Sequence, residues 1–156
     1  MTHASQLDAD GRLRHLLDLD GLPRATIERV LDDAARLRAQ WRERHALPQT
    51  LAGRTVVNLF FEASTRTRTS FDLAARRLGA LVVNFDIASS STSKGETTED
   101  TLATLEAMDA DAFVVRHKEN GTPAMLATHA RRAAILNAGD GNRAHPTQGL
   151  LDLLTI

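Results

Sequence analysis

The 156-residue sequence predicts an α/β fold: a parallel sheet of about four strands with helices on both faces. Four short apolar stretches alternate along the chain with segments whose apolar residues recur at helical spacing. Each stretch is nearly continuous rather than alternating, which is typical of strands buried on both faces. Strands that alternate with helices in this way favour a three-layer αβα domain.

The predicted elements follow one another in a regular order. Pro23 suits the first turn of an amphipathic helix that runs to about Arg44. Strands are predicted after it, over 55–61, 81–86, 112–116 and 133–138. Helices are predicted between the strands, over 66–78, 97–108 and 122–132.

The last segment, 146-PTQGLLDLLTI-156, begins like a helix at Pro146. Its apolar residues lie nearly all round the helix, so we expect it to be buried on more than one side. Nothing in the sequence is left to cover the second side. We therefore expect either a piece of a longer protein or a helix that is covered in an oligomer.

Composition excludes several classes of protein. The chain has no cysteine, so disulfides, thiolate metal sites and a cysteine nucleophile are excluded, and a reducing cytoplasm fits. A net charge of −1 gives no overall basic field for nucleic acid or an anionic membrane. No apolar run is long enough to span a bilayer. The six histidines lack the spacing of metal ligands, and no triphosphate-binding loop or serine-hydrolase elbow is present. We expect no metal and no cofactor.

The polar stretch 61-FEASTRTRTSF-71 follows the first predicted strand and opens a helix. Ligands of such sheets bind beyond the carboxyl ends of the strands. Helix amides, hydroxyl groups and a guanidinium together form a cradle for phosphate. The candidate residues run from Ser64 to Arg68. The alternative is an ordinary helix cap with solvated arginines, which explains one hydroxyl but not the cluster.

Two further polar segments also follow predicted strands. The loop 88-ASSSTSKGETTEDT-101 carries Lys94, which can close over an anion or reach a neighbouring subunit's site. An ordinary surface loop is an equally good interpretation. Arg116 stands at the end of the third strand and points at the same crevice, although a lone arginine there is more often a surface charge.

The segment 137-NAGDGNRAHPTQ-148 formally matches the G-x-G-x-x-A dinucleotide pattern. His145 and Pro146 interrupt the helix start that this pattern requires, and the acidic residue expected about 20 positions later is missing, so we disfavour NAD binding. In the alternative interpretation, His145 and Gln148 face the crevice from the first helical turn. A histidine there can donate to an oxyanion, and glutamine offers a donor and an acceptor. Either residue could also be purely structural.

Four motifs together, FEASTRTRTSF, SSSTSKGET, VVRH and HPTQ, resemble the catalytic chains of the aspartate carbamoyltransferase family. The resemblance covers the amino-terminal, carbamoyl phosphate-binding half. It implies transfer of a carbamoyl group from carbamoyl phosphate to the amine of L-aspartate, an early step of pyrimidine synthesis. It also implies an N-terminal extension over 1–21, a carbamoyl phosphate-binding domain over 22–145, and the start of an interdomain helix over 146–156. The second, aspartate-binding domain is absent, so we expect this chain alone to be inactive.

The resemblance also implies a role for each candidate residue. Ser64, Thr65, Arg66 and Thr67 hold the phosphate, and Arg66 steadies the leaving oxygen. Thr67, Arg116 and His145 polarise the carbamoyl oxygen, and Gln148 holds the carbamoyl amine. Ser90 (or Ser91) and Lys94 come from the adjacent subunit of a homotrimer, with regulatory or dihydroorotase-like chains as further candidate partners.

Two other functions compete with this one. Ornithine carbamoyltransferase shares the STRTR element, but usually carries a cysteine in the segment that matches 145–148, and its loop does not read KGET. Thr147 and 94-KGET-97 therefore favour aspartate. A non-catalytic module for phosphate binding or assembly is the third possibility. The presence of Arg66, Lys94 and His145 argues against it.

Overall fold

A computed structural model describes residues 6–86 and 97–156 of the chain. The five helices in these ranges are α1 (Arg24–Arg44), α2 (Thr65–Arg77), α3 (Thr98–Ala107), α4 (Thr122–His129) and α5 (Pro146–Thr155). The four strands are β1 (Thr55–Phe60), β2 (Leu81–Asp86), β3 (Ala112–His117) and β4 (Ala134–Asp140). The predicted alternation of strands and helices is confirmed.

The strands form one parallel sheet in the order β2-β1-β3-β4. The chain therefore moves from β1 to β2 on one side and then crosses to β3 on the other side. This change of direction creates a crevice between the carboxyl ends of β1 and β3, where ligands of such sheets bind. The loops that follow β1 and β3 carry the first and third polar segments of the sequence.

Both faces of the sheet are covered by helices, as predicted. Phe71 and Ala75 of α2 pack against one face. Leu102 of α3 and Leu126 of α4 pack against the other face, on a core that includes Phe113 of β3. Leu126 and Phe113 are fully buried. Because the strands are buried from two sides, their nearly continuous apolar sequences are explained.

The segment before α1 lies along the free edge of β4. Leu16 forms a parallel bridge with Leu136, and its N–H and C=O pair with Ile135 and Asn137. The buried His15 accepts a hydrogen bond at Nδ1 from the Ile135 N–H. Burial, with the nearby charge of Arg14, lowers the pKa of His15 to about 4. This neutral histidine and its neighbours close a strand edge that would otherwise expose unpaired backbone groups.

Helix α4 ends three residues earlier than its apolar pattern predicts, at His129 rather than 132. Glu106, at the end of α3, is the cause. Its buried carboxylate accepts hydrogen bonds from three successive backbone N–H groups, those of Arg131, Arg132 and Ala133, over 2.6–3.1 Å. The carboxylate therefore holds these amides in the turn that leads to β4.

Helix α5 packs on β4 and on α1. Leu150 is buried, but Leu151 and Leu153 are each 51% exposed. The described residues therefore do not provide the expected burial on a second side. None of the described helices is long and apolar enough to cross a membrane.

We expect Glu106→Gln to lower the free energy of unfolding by about 2 kcal/mol, because one side-chain oxygen cannot replace a carboxylate that accepts three amides. Burial alone would raise the pKa of Glu106, but the three donors outweigh it and lower the pKa. Their stabilisation is therefore complete above the ordinary glutamate pKa and is lost as the pH falls through the lower pKa of the folded state.

Denaturant unfolding measured as a function of pH checks this expectation. The matched control is Glu43→Gln, since Glu43 is exposed and makes only a 3.9 Å ion pair with Arg44; we expect a change within about 0.5 kcal/mol. Equal losses in the two variants would contradict the assigned role of Glu106.

Candidate functional site

The amino-terminal end of α2 faces the crevice directly after β1. Ser64 is the N-cap residue, yet its side chain makes no capping hydrogen bond. The first helical hydrogen bond runs from the Arg68 N–H to the Ser64 carbonyl, so the amides of residues 65–67 precede it. The first turn contains no acidic residue. This helix end therefore offers backbone donors and a favourable dipole to an anion.

The side chains of this turn also lack hydrogen-bond partners among the described residues. Ser64 and Thr67 are half-buried, while Thr65 and Arg66 are exposed. Their side chains form no hydrogen bond or ion pair with any residue in the described ranges. Arg68 is half-buried, in contrast to Arg66. The predicted phosphate cradle is thus a group of donors without internal acceptors.

Arg116 lies at the carboxyl end of β3, beside Phe60 of β1 in the sheet register. Its Nη1 donates to the Ala138 carbonyl of β4 at 2.9 Å. Its Nε lies 2.6 Å from Oε1 of Glu62, which belongs to the loop after β1. The guanidinium therefore spans the ends of three strands. The sequence predicted this position at the crevice but not the contacts.

Glu62 is a residue of the site that sequence reasoning missed. Its ion pair with Arg116 is close, but the Nε–H lacks hydrogen-bond geometry and has no acceptor among the described residues. The Arg116 side chain is 23% exposed and the Glu62 side chain is 33% exposed. Their charges therefore attract one another in a partly desolvated environment. The sequence did contain one signal for this pair: an acidic residue directly after β1 and a basic residue at the end of β3.

The Arg116 side chain packs directly against Gly139, where any other residue would have a Cβ. Its φ of +136° belongs to a region that favours glycine. A Cβ at this position would collide with Nη1 of Arg116 and would lie 2.9 Å from its Cζ. Gly139 belongs to the G-x-G-x-x-A match in the sequence, and its observed role is close approach to an arginine.

His145 is the N-cap residue of α5 and is half-buried. Its Nδ1 lies 3.2 Å from the Thr147 hydroxyl. Burial, followed by the positive charge of Arg116, lowers the pKa of His145 below its ordinary value. The ring is therefore neutral near pH 7, and it lies close enough to Arg116 to sense its charge.

Gln148 follows His145 on the first turn of α5 but is exposed. Its Nε2 donates to Asp152 at 2.9 Å, one turn further along the helix. This contact uses one N–H of the amide, so the other N–H and the side-chain oxygen have no partner among the described residues. His117 has two partners that the sequence did not indicate: the ring of Phe61 at 4.7 Å and the Glu119 N–H. Ser90 and Lys94 lie outside the described residues.

The family of the chain follows from its similarity to known proteins. Residues 14–156 match the family described as aspartate/ornithine carbamoyltransferase, carbamoyl-P binding domain. The chain belongs to this carbamoyltransferase family. The resemblance stated from the four motifs is confirmed, and the matched region of this carbamoyltransferase domain includes the segment along β4.

Catalytic subunits of aspartate carbamoyltransferase from bacteria are similar to this chain. The subunit of Xanthomonas campestris pv. campestris is 59% identical over 152 residues, which cover 97% of this chain and 48% of the relative. The subunit of Stenotrophomonas maltophilia is 59% identical over 155 residues, with 98% and 49% coverage. The carbamoyltransferase domain described here spans about half the length of these relatives.

Solved structures of aspartate transcarbamoylases are also similar to this chain. Aspartate transcarbamoylase from Trypanosoma cruzi in complex with carbamoyl phosphate and aspartate has a TM-score of 0.82 at 39% identity, covering 92% of this chain and 44% of that one. The catalytic subunit of M. jannaschii aspartate transcarbamoylase has a TM-score of 0.83 at 36% identity, covering 92% and 46%. The αβα carbamoyltransferase domain predicted from the sequence is confirmed.

We expect the imidazole of His145 to titrate below the ordinary histidine range, and Arg116→Gln to raise its pKa, because the substitution removes the nearby positive charge. Ring chemical shifts measured by NMR across the acidic and neutral pH range check this. Arg29→Gln removes a charge from the exposed part of α1 and is the control. An unchanged His145 titration in Arg116→Gln would contradict the proximity of the two side chains.

Proposed function

We propose that this domain supplies the carbamoyl phosphate half-site of an aspartate carbamoyltransferase. The observation that carries the proposal is the group of unpaired donors at the start of α2, beside Arg116 and at the crevice between β1 and β3. Carbamoyl phosphate has a dianionic phosphate at one end and a neutral carbamoyl group at the other. The donors of α2 suit the first end, and Arg116, His145 and Gln148 suit the second.

The phosphate binds to the amides and hydroxyls of Ser64, Thr65 and Thr67, with Arg66 on the oxygen that leaves. Each of these groups donates without presenting a competing acceptor carboxylate, since the first turn has no acidic residue. Charge-assisted hydrogen bonds of this kind are about twice as strong as neutral ones. Because the donors have no partners among the described residues, the ligand breaks no hydrogen bond within those ranges.

The carbamoyl oxygen binds to Thr67, Arg116 and His145. The amine of aspartate attacks the carbamoyl carbon, which gives a tetrahedral intermediate with negative charge on this oxygen. The bond from carbon to the bridging oxygen then breaks, phosphate leaves, and the amine proton passes to the phosphate. Donors already aimed at the oxygen stabilise the intermediate without reorganisation.

Neutral His145 suits this task. Nδ1 of His145 and the Thr147 hydroxyl lie 3.2 Å apart. In the tautomer that we propose, the hydroxyl donates to Nδ1 and the ring proton is on Nε2, where it can be donated to the carbamoyl oxygen. Gln148 accepts from the carbamoyl amine through Oε1, because its Nε2 is held by Asp152. Both groups bind the reacting end, so orientation is their main contribution.

We propose aspartate rather than ornithine as the acceptor, on the strength of Thr147 and 94-KGET-97. We further propose a homotrimer in the cytoplasm, in which Ser90 and Lys94 complete a neighbouring site and the reaction serves pyrimidine synthesis. Residues 22–145 then form the binding domain together with the segment along β4, and α5 begins the connection to an aspartate-binding domain. Regulatory or dihydroorotase-like chains are candidate partners of such an assembly.

We expect Arg66→Ala to weaken carbamoyl phosphate binding by about 2 kcal/mol and Arg68→Ala to weaken it much less. Arg66 is exposed at the mouth of the cradle, whereas Arg68 is half-buried further along α2. Calorimetric titration of both variants with carbamoyl phosphate, and with inorganic phosphate as competitor, measures the difference. Equal losses would remove the distinction, and no binding to the unmodified chain would contradict the half-site.

We expect the 156-residue chain to bind carbamoyl phosphate but to turn over at least about a thousand-fold more slowly than a version joined to the remaining half of a relative, because the amine would no longer be held in place. Product formation with aspartate and with ornithine measures both points. Comparable rates for the two versions would contradict the need for a second half, and a preference for ornithine would overturn the choice of acceptor.

A further inference from the structure

Asn137 is a buried polar residue in the middle of β4, and the reaction as proposed does not use it. Its side chain is fully buried. An amide buried in a sheet costs free energy unless its groups are hydrogen-bonded. Both sides of the Asn137 amide are bonded, and all of its partners are backbone groups.

The nitrogen of this amide supports the backbone that carries His145. Nδ2 donates to the Leu17 carbonyl at 2.8 Å and to the Ala144 carbonyl at 3.3 Å. The Ala144 carbonyl also accepts from the Asp140 N–H at 3.0 Å. Ala144 directly precedes His145, so its peptide group is held from two directions. The start of α5 is thereby fixed relative to β4.

The oxygen of the same amide supports Arg116. Oδ1 accepts from the Gly139 N–H at 2.8 Å. The C=O of Ala138 and the N–H of Gly139 belong to one planar peptide group. Its N–H is held by Asn137, and its C=O accepts from Nη1 of Arg116 at 2.9 Å. Fixing one end of the peptide fixes the other, so Asn137 orients the carbonyl on which the guanidinium rests.

We propose that Asn137 is a positioning residue that sets Arg116 and His145 in a common geometry through the backbone. This inference rests on the proposed function, in which both residues bind the carbamoyl oxygen. Asn137 itself touches no substrate, because its side chain is fully buried in the middle of β4. Its side chain connects the supports of Arg116, at the end of β3, and His145, at the start of α5.

The test is Asn137→Asp, which keeps the size of the side chain but replaces two N–H donors by an oxygen next to two carbonyls. We expect the affinity for carbamoyl phosphate, measured by calorimetry, to fall about ten-fold. We also expect the NMR titration of His145 to move up towards the ordinary histidine value, because the ring is then held less close to Arg116 and because the new carboxylate favours the protonated ring. Asn137→Ser adds no charge and therefore isolates the first cause.

Asn58→Asp is the matched control. Asn58 is a fully buried asparagine of β1, and its amide bonds Asn84 of β2 rather than a support of the site. We expect a similar loss of thermal stability with unchanged affinity and unchanged His145 titration. If Asn137→Asp preserves both readouts, or if Asn58→Asp alters them equally, the positioning role is overturned.

The test remains decisive if the chain does not bind carbamoyl phosphate or if the variant does not fold. If the unmodified chain does not bind carbamoyl phosphate, the proposed function fails, but the His145 titration still decides whether Asn137 positions the ring. If Asn137→Asp does not fold, Asn137→Ser replaces it, because a hydroxyl retains one donor in a smaller side chain. A displaced His145 titration in that variant supports the inference, and an unchanged titration overturns it.

Discussion

The guanidinium of Arg116 joins the ends of three strands into one unit. It lies at the end of β3, pairs with Glu62 after β1 and donates to Ala138 of β4. A partly desolvated charge is stable only with such partners. The crevice of a doubly wound sheet exists wherever the chain changes direction. In this molecule the arginine fixes the strand ends that line the crevice relative to one another. The start of α2 faces the same crevice.

The site divides its polar groups between two tasks. Glu62 and Asn137 spend their hydrogen bonds or charge inside the protein and hold other groups in place. The donors at the start of α2 have no partners among the described residues. Fixed supports with unsatisfied donors are the arrangement that electrostatic preorganisation requires, because nothing has to be reoriented when charge develops.

The sequence predicted all four strands, the helices between them and the polar segments that follow β1 and β3. Local patterns carry this information, because burial and helix starts depend on neighbouring residues. The early end of α4 was missed because Glu106 binds amides about 25 residues away. The Glu62 pair and the docking of Leu16 on β4 are also contacts between distant segments. No periodicity in a single stretch reports such contacts.

The segment along the edge of β4 connects the beginning of the described chain to the site. Leu16 pairs with the strand, and the next carbonyl, that of Leu17, accepts from Asn137. A protein trimmed to begin at α1 would lose this acceptor and would expose the edge of β4 to pairing with other molecules. Residues 6–20, which look like a dispensable tail in the sequence, therefore belong to any version of this protein that is made for crystallisation or immobilised through its amino terminus.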